Sequence, residues 1–308
     1  MKKIVIICLS AIALTLNYAC NDSLDKELFE KSVLLTNNGW IDEEMQITES
    51  GLIEVPLVLS INGTDGNDKS VDVRMKFDSD TLSAYNFNKY RNQTALYYNE
   101  VPTGAVTFKD AIINIPSGKI KSTSALILDT KQITDKYADY VIPVAIESVS
   151  EYKVGQNIYS KALLHVLLKN SFSGNYAGDL GVFKITDTGN KITVSNKTFY
   201  AVTSNKCYFF AGQMDRSKMD RNKFIVNITI DNEGVITMES PNPDLLFKQE
   251  SAKITITKEN HPNDNRYEIV TTALTLAYTF KDLTLVDKPT LRCTGTVSIQ
   301  KNVLKVQP

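Results

Sequence analysis

From residue 41 onward, apolar and polar positions alternate over short stretches with a period of two, the pattern of half-buried strands. Val71, Val73, Met75 and Phe77 share one face of a strand predicted at 71–77. Leu52–Ile61 reads as a second strand, and Pro56 inside it points to a sheet edge, because proline has no N–H to offer a neighbour. Strands at 106–115 and 119–128 are separated by Pro116-Ser117-Gly118, and strands at 140–149 and 159–168 follow. Two stretches depart from this period. Asp80–Arg91 predicts a short helix capped by Ser79 or Asp80, and Ile133–Asp139 a single helical turn.

Asn170-Ser171-Phe172-Ser173-Gly174 is short, polar and contains glycine, and it marks a domain boundary. Beyond it short strands recur to about residue 300, two of them joined by the hairpin connection Asp231-Asn232-Glu233-Gly234. The strand–helix alternation of a parallel sheet does not occur. The pattern predicts an all-β chain, with a β-sandwich at 41–169 and a second antiparallel β-barrel or sandwich domain at 170–308. The 308 residues are 43% hydrophobic, enough for sizeable cores. With 34 basic against 35 acidic side chains, the chain lacks the positive excess of a nucleic-acid binder and offers no basic patch for anionic lipid.

The first twenty residues have a different character. Met1-Lys2-Lys3, the apolar run Ile4–Leu16 and the small Ala19 have the layout of a secretory signal, and the run is too short to span a bilayer comfortably. With Cys20 directly after Ala19, the segment resembles a bacterial lipoprotein signal at 1–19, which implies lipid attachment at Cys20. Asn17 stands where an aliphatic residue is usual, and a plain secretory signal is the alternative. The acid-rich Asn21–Glu27 is similar to the export tag of Bacteroidetes lipoproteins carried to the cell surface. This implies an outer-membrane, surface-facing protein held by its N-terminal lipid, with residues 20–40 as a tether. Cys8 leaves with the signal, so Cys207 and Cys293 remain. They are a disulfide candidate in an oxidising setting, and two separate buried thiols are the reading slightly favoured.

The first half carries Tyr97-Tyr98-Asn99-Glu100-Val101-Pro102, Val106-Thr107-Phe108, Ile113-Asn114-Ile115-Pro116-Ser117-Gly118 and Tyr140-Val141-Ile142-Pro143-Val144-Ala145-Ile146. In order and spacing, residues 33–169 resemble the immunoglobulin-like module of Bacteroidetes surface lipoproteins, a module also found ahead of chitinase-like endoglycosidases. The second half, from Gly174-Asn175-Tyr176 to Gly295-Thr296-Val297-Ser298-Ile299, resembles the barrel-like β-rich domain that often accompanies it. The resemblance implies a setting in glycan utilisation, with a glycan ligand and outer-membrane transporter components as partners. It implies no reaction.

Catalytic chemistry is hard to place. The sequence has no Gly-x-Ser-x-Gly elbow, no His-Glu-x-x-His helix and no phosphate-binding glycine loop. His165 lies in an apolar run and reads as a core or edge-strand residue, while His261 precedes Pro262 in a polar loop. Acidic pairs such as Asp42 with Glu43, and Asp78 with Asp80, are too common to mark a glycosidase. The oxygen-rich loop Asn62–Asp68 lacks the closing glutamate of a helix-loop-helix calcium site. No catalytic residue, metal site or cofactor is expected.

Aromatic side chains remain as ligand candidates, since sugars stack their apolar faces on flat rings. Trp40, Tyr97, Tyr98 and Tyr208 are the candidates, with Trp40 and Tyr98 expected to be exposed. Tyr208 and Phe210 are expected on one face of their strand and Phe209 on the other. Capture of a polysaccharide or oligosaccharide for uptake is the function the whole pattern favours. A structural or adhesive surface protein is the first alternative, and a glycan-cleaving enzyme a remoter one.

Overall fold

The computed structural model describes residues 29–63 and 66–305. The expected signal at 1–19, the lipid site Cys20, the first part of the expected tether, and Thr64 and Asp65 lie outside the described residues. The chain is nearly all β and has two domains, a two-sheet sandwich and a nearly closed barrel.

The expected tether is shorter than 20–40, because Ser32–Leu35 forms strand β1 and Gly39–Gln46 forms β2. Val33 and Leu35 supply the reason, as both are fully buried in the sandwich core. One sheet has the order β10 (Lys153–Val154), β1, β3 (Leu52–Asn62), β8 (Lys121–Asp129), β6 (Val106–Phe108). The other runs β2, β11 (Lys161–Lys169), β9 (Tyr140–Val149), β4 (Val71–Phe77), β7 (Ile113–Ile115), with β5 (Asn99–Glu100) also on β9. Pairing is antiparallel except for β1–β10, β2–β11 and β5–β9.

Strand β3 is flanked on both sides, but β1 covers only Leu59–Asn62. Pro56 therefore pairs with Ala125 of β8 at a point where β1 does not reach, so the missing N–H leaves no gap in that ladder. Helix α1 (Ser79–Tyr90) lies against the outer face of the second sheet and buries Leu82 on Val141 and Leu163. Asp78, one residue ahead of the expected caps, accepts from the Thr81 hydroxyl at 2.7 Å. Residues 133–139 form no helical turn; a short 3₁₀ turn at Thr130–Gln132 precedes them.

The second domain is an up-and-down meander. Its strands are β12 (Gly174–Lys184), β13 (Asp187–Ala201), β14 (Lys206–Phe210), β15 (Ile225–Ile230), β16 (Ile236–Glu239), β17 (Lys248–Asn260), β18 (Tyr267–Lys281) and β19 (Thr290–Leu304). Each pairs with the next except β16 with β17, and β19 returns to pair with β12. At the β16–β17 seam the Gln249 side chain replaces a ladder: its Nε2 donates to Ile236 O and its Oε1 accepts from Met238 N–H. Tyr176, Phe199, Phe209, Tyr278 and Phe280 fill the interior.

The β12–β19 closure depends on two glycines. A Cβ on Gly295 would lie 1.8 Å from Asp179 O, and one on Gly178 2.2 Å from Thr296 O. Both obstacles are backbone, and φ is +151° and +159°. Gly295→Ala is expected to destabilise the barrel by about 3 kcal/mol, read as a lower urea midpoint at unchanged slope.

Candidate functional site

The site grows from the parallel pairing of β2 with β11. Its register sets Trp40 beside Leu163 and Asp42 beside His165. Residues two apart on a strand share a face, so Trp40, Asp42, Leu163 and His165 all point outward, away from the sandwich core. Helix α1 adds Leu82, Tyr85 and Lys89 to the same face, at the three-, four- and seven-residue spacing of one helix side. The Trp40 indole N–H donates to Asp42 Oδ1 at 3.0 Å, which also meets His165 Nδ1 at 2.8 Å. The bond from His165 draws the Asp42 carboxyl below its ordinary range, against a smaller opposing effect of burial.

The rings then assemble. Trp40 stacks on Tyr85, with centroids 4.6 Å apart and planes 12° from parallel, and meets Tyr98 at 4.7 Å. Lys89 closes one side, its Nζ 5.0–5.3 Å from the ring centres of Trp40, Tyr85, Tyr90 and Tyr98. It donates to the Tyr85 and Tyr98 hydroxyls, each at 3.2 Å. Burial pushes the Tyr98 phenol up to about 12, so it stays neutral and able to donate.

Beside the Trp40–Tyr85 pair lies an open trough of about 290 Å³. Ile158, Ala162 and Leu163 give it an apolar lining, and Thr81, Asn157 and Lys161 stand at its polar rim. Lys161 is held there by Asp78, 2.7 Å from Nζ.

The sequence candidates fare unequally. Trp40 lines the trough, but it is half-buried rather than free-standing. Tyr98 is also half-buried; it braces Trp40 and does not line the trough. Tyr97 turns away, its hydroxyl donating to Arg91 O at 2.6 Å. Tyr208 is only 1% exposed, which removes it as an open sugar platform. Cys207 and Cys293 are buried, unbridged thiols. Burial pushes both upward, Cys207 to about 12, and so keeps them protonated. In the turn-rich loop, Asn67 donates to Pro116 O and Lys119 O, while Asp68 takes Lys31 and the Tyr152 hydroxyl. Those bonds are turn architecture. Tyr85 escaped the sequence analysis, although its spacing from Leu82 and Lys89 carried the signal.

Behind His165 the two domains meet. His165 Nε2 faces Asp139 Oδ1 at 3.9 Å, and Arg216 of the barrel reaches the same oxygen at 2.5 Å. Arg221 stands 3.9 Å from Asp139 Oδ2. The Arg216 guanidinium lies 3.9 Å over the Tyr200 ring and donates to the Tyr208 hydroxyl. Tyr137 packs edge-on against Tyr208 at 5.2 Å and exchanges hydrogen bonds with Asn227. Burial alone would raise the Asp139 carboxyl; the facing His165 and the charges of Arg216 and Arg221 bring it below its ordinary value instead.

Residues 32–150 match the family model of a domain of unknown function, DUF4973, and residues 160–298 match a second family model, described as a C-terminal domain. No curated protein matches the chain. Several solved structures share its fold, among them the following three. One of unknown function from Bacteroides ovatus is 22% identical, covers 90% of this chain and 96% of its own, and has a TM-score of 0.79. A multidomain protein including DUF1735 from the same species is 20% identical, with the same coverage and a TM-score of 0.77. An auxiliary nutrient binding protein from Bacteroides thetaiotaomicron is 19% identical, covers 86% of this chain and 92% of its own, and has a TM-score of 0.76. The chain is a two-domain, β-rich protein with the fold of these Bacteroides structures.

Proposed function

We propose that this protein is a non-catalytic surface lipoprotein, anchored through Cys20, that captures oligosaccharide or polysaccharide for an outer-membrane uptake system. The trough beside Trp40 is its sugar seat. The observation that carries the reading is an aromatic wall and apolar lining with a hydroxyl, an amide and an ammonium group at the rim. A pyranose has the matching surface, with apolar C–H faces and a belt of hydroxyls. The likeness in fold to an auxiliary nutrient binding protein supports the same direction. The trough is shallow and open, so affinity comes from repeated engagement of one long glycan by many anchored copies.

The test is migration of the purified chain through native gels cast with a panel of polysaccharides, host mucin glycans included. Retardation by one of them is expected. Ile158→Asp, at a side chain 64% exposed and so dispensable for folding, is expected to weaken it about tenfold, as is Trp40→Ala. Retardation untouched by both changes keeps glycan capture and discards the trough. Absence of retardation across the panel discards the function.

A further inference from the structure

The barrel has a second, separate cavity at one end. In an up-and-down meander, alternate connections lie at the same end, so the β12–β13, β14–β15, β16–β17 and β18–β19 connections share one rim. Three of these four surround a cavity of about 570 Å³, within the range of small-molecule sites. The fourth fills its part of the barrel with Leu245, which is fully buried.

We propose that this barrel mouth binds a small uncharged amphipathic molecule, with its apolar body inside the barrel and a hydroxyl or amide head at the rim. Three observations carry the proposal. The inner wall is apolar and aromatic, with Val182, Phe224 and Phe280 buried behind Met214 and Leu291. The lips are apolar and exposed: Ile192 and Leu285 line the opening, and Ile185 and the fully exposed Val286 stand at the tips of the same two hairpins. Apolar side chains held in water around a cavity mouth are unusual unless something is seated there.

The third observation is the rim charge. Lys184 lies 3.9 Å from Asp287, and Lys191 lies 3.6 Å from Asp179. Asp187 accepts from Asn190, and Asp282 from Thr284. Each charged side chain that lines the cavity already has a polar partner, so neither a carboxylate nor an ammonium head gains a dedicated counter-ion there. This site is independent of the trough and of the glycan reading.

The test uses the full chain with N-phenyl-1-naphthylamine, an uncharged probe that brightens in apolar surroundings. Saturable binding of one probe per chain is expected, displaced by decanol at least tenfold more effectively than by decanoate or decylamine. Leu285→Asp and Ile192→Asp change exposed side chains and leave the fold in place, checked by an unchanged melting temperature. Each is expected to weaken probe binding at least fivefold while leaving glycan retardation unaltered. No saturable binding, binding indifferent to both substitutions, or a preference for decanoate or decylamine overturns the proposal. So does association with phosphatidylcholine vesicles without uptake of monomeric probe, which makes the lips a membrane contact.

Discussion

Asp139→Ala is expected to lower stability by about 3–5 kcal/mol and to split thermal unfolding into two transitions, one for each domain. Asp139 belongs to the sandwich but faces Arg216 and Arg221 of the barrel, and its side chain is 9% exposed. Removing it leaves two cations close together with no carboxylate between them. The charges left unbalanced, more than the lost attraction itself, set the size of the effect. Replacing both partners, Asp139→Leu with Arg216→Met, is expected to recover part of the stability, because no charge of that pair is then stranded. Calorimetry of the three proteins decides. An unchanged single transition in Asp139→Ala would show that the aromatic contacts of Tyr137 with Tyr208 hold the domains together unaided. The carboxyl also predicts acid sensitivity. Its folded pKa lies below the ordinary 3.8, so its contribution is complete above that value and fades as pH falls through the folded one.

The features read well from sequence were those fixed by local period. Alternation along β14 placed Tyr208 and Phe210 on one face and Phe209 on the other, and the structure has Phe209 in the barrel interior with Tyr208 and Phe210 outside it. The same local rule could not say what covers that outer face. Tyr137 reaches Tyr208 from 71 positions away, so a ring that looks available in a strand is sealed by the other domain. Val33 and Leu35 show the converse error. Four residues of strand within a polar stretch are too few for a period to emerge, and the distant pairings with Leu59–Asn62 and Lys153–Val154 make them a strand.

At the site, Trp40 was legible as a lone indole near the start of folded sequence. Its partners were not. Tyr85 lies 45 positions away on a helix, and the stack exists because α1 docks Leu82 onto Val141 and Leu163. Of the polar members of the trough, Thr81 sits on α1, Asn157 in the connection before β11, and Lys161 at the first position of β11. None of them is unusual in its own sequence neighbourhood. A binding trough assembled this way has no linear motif, whereas the pair Asp42–His165 leaves a faint one, an acid and a histidine inside strand patterns.

Lys197 provides the second large expected effect. It occupies an inward position of β13, on the same face as Phe199, where the alternation calls for an apolar side chain. Its Nζ donates to Phe210 O at 2.9 Å and Gly212 O at 2.5 Å. Burial pulls its pKa from 10.5 down to about 8, and the influences of Cys293 and Asp215 only partly oppose it. Unfolded, the lysine keeps its proton up to 10.5; folded, it releases it near 8. Between these values the unfolded chain binds more protons, so this side chain makes the fold more stable as pH rises. A shift of that size corresponds to about 3 kcal/mol. The buried tyrosines and thiols, pushed upward, act in the opposite direction above pH 9, and the total stability curve therefore hides the effect. Comparison with Lys197→Met isolates it, because those groups are common to both proteins. The stability of the natural chain relative to the variant is expected to climb by about 3 kcal/mol from pH 8 to 10.5 in urea titrations. A flat difference across that range would mean that Lys197 remains charged inside the barrel, with the two carbonyls compensating its burial in full.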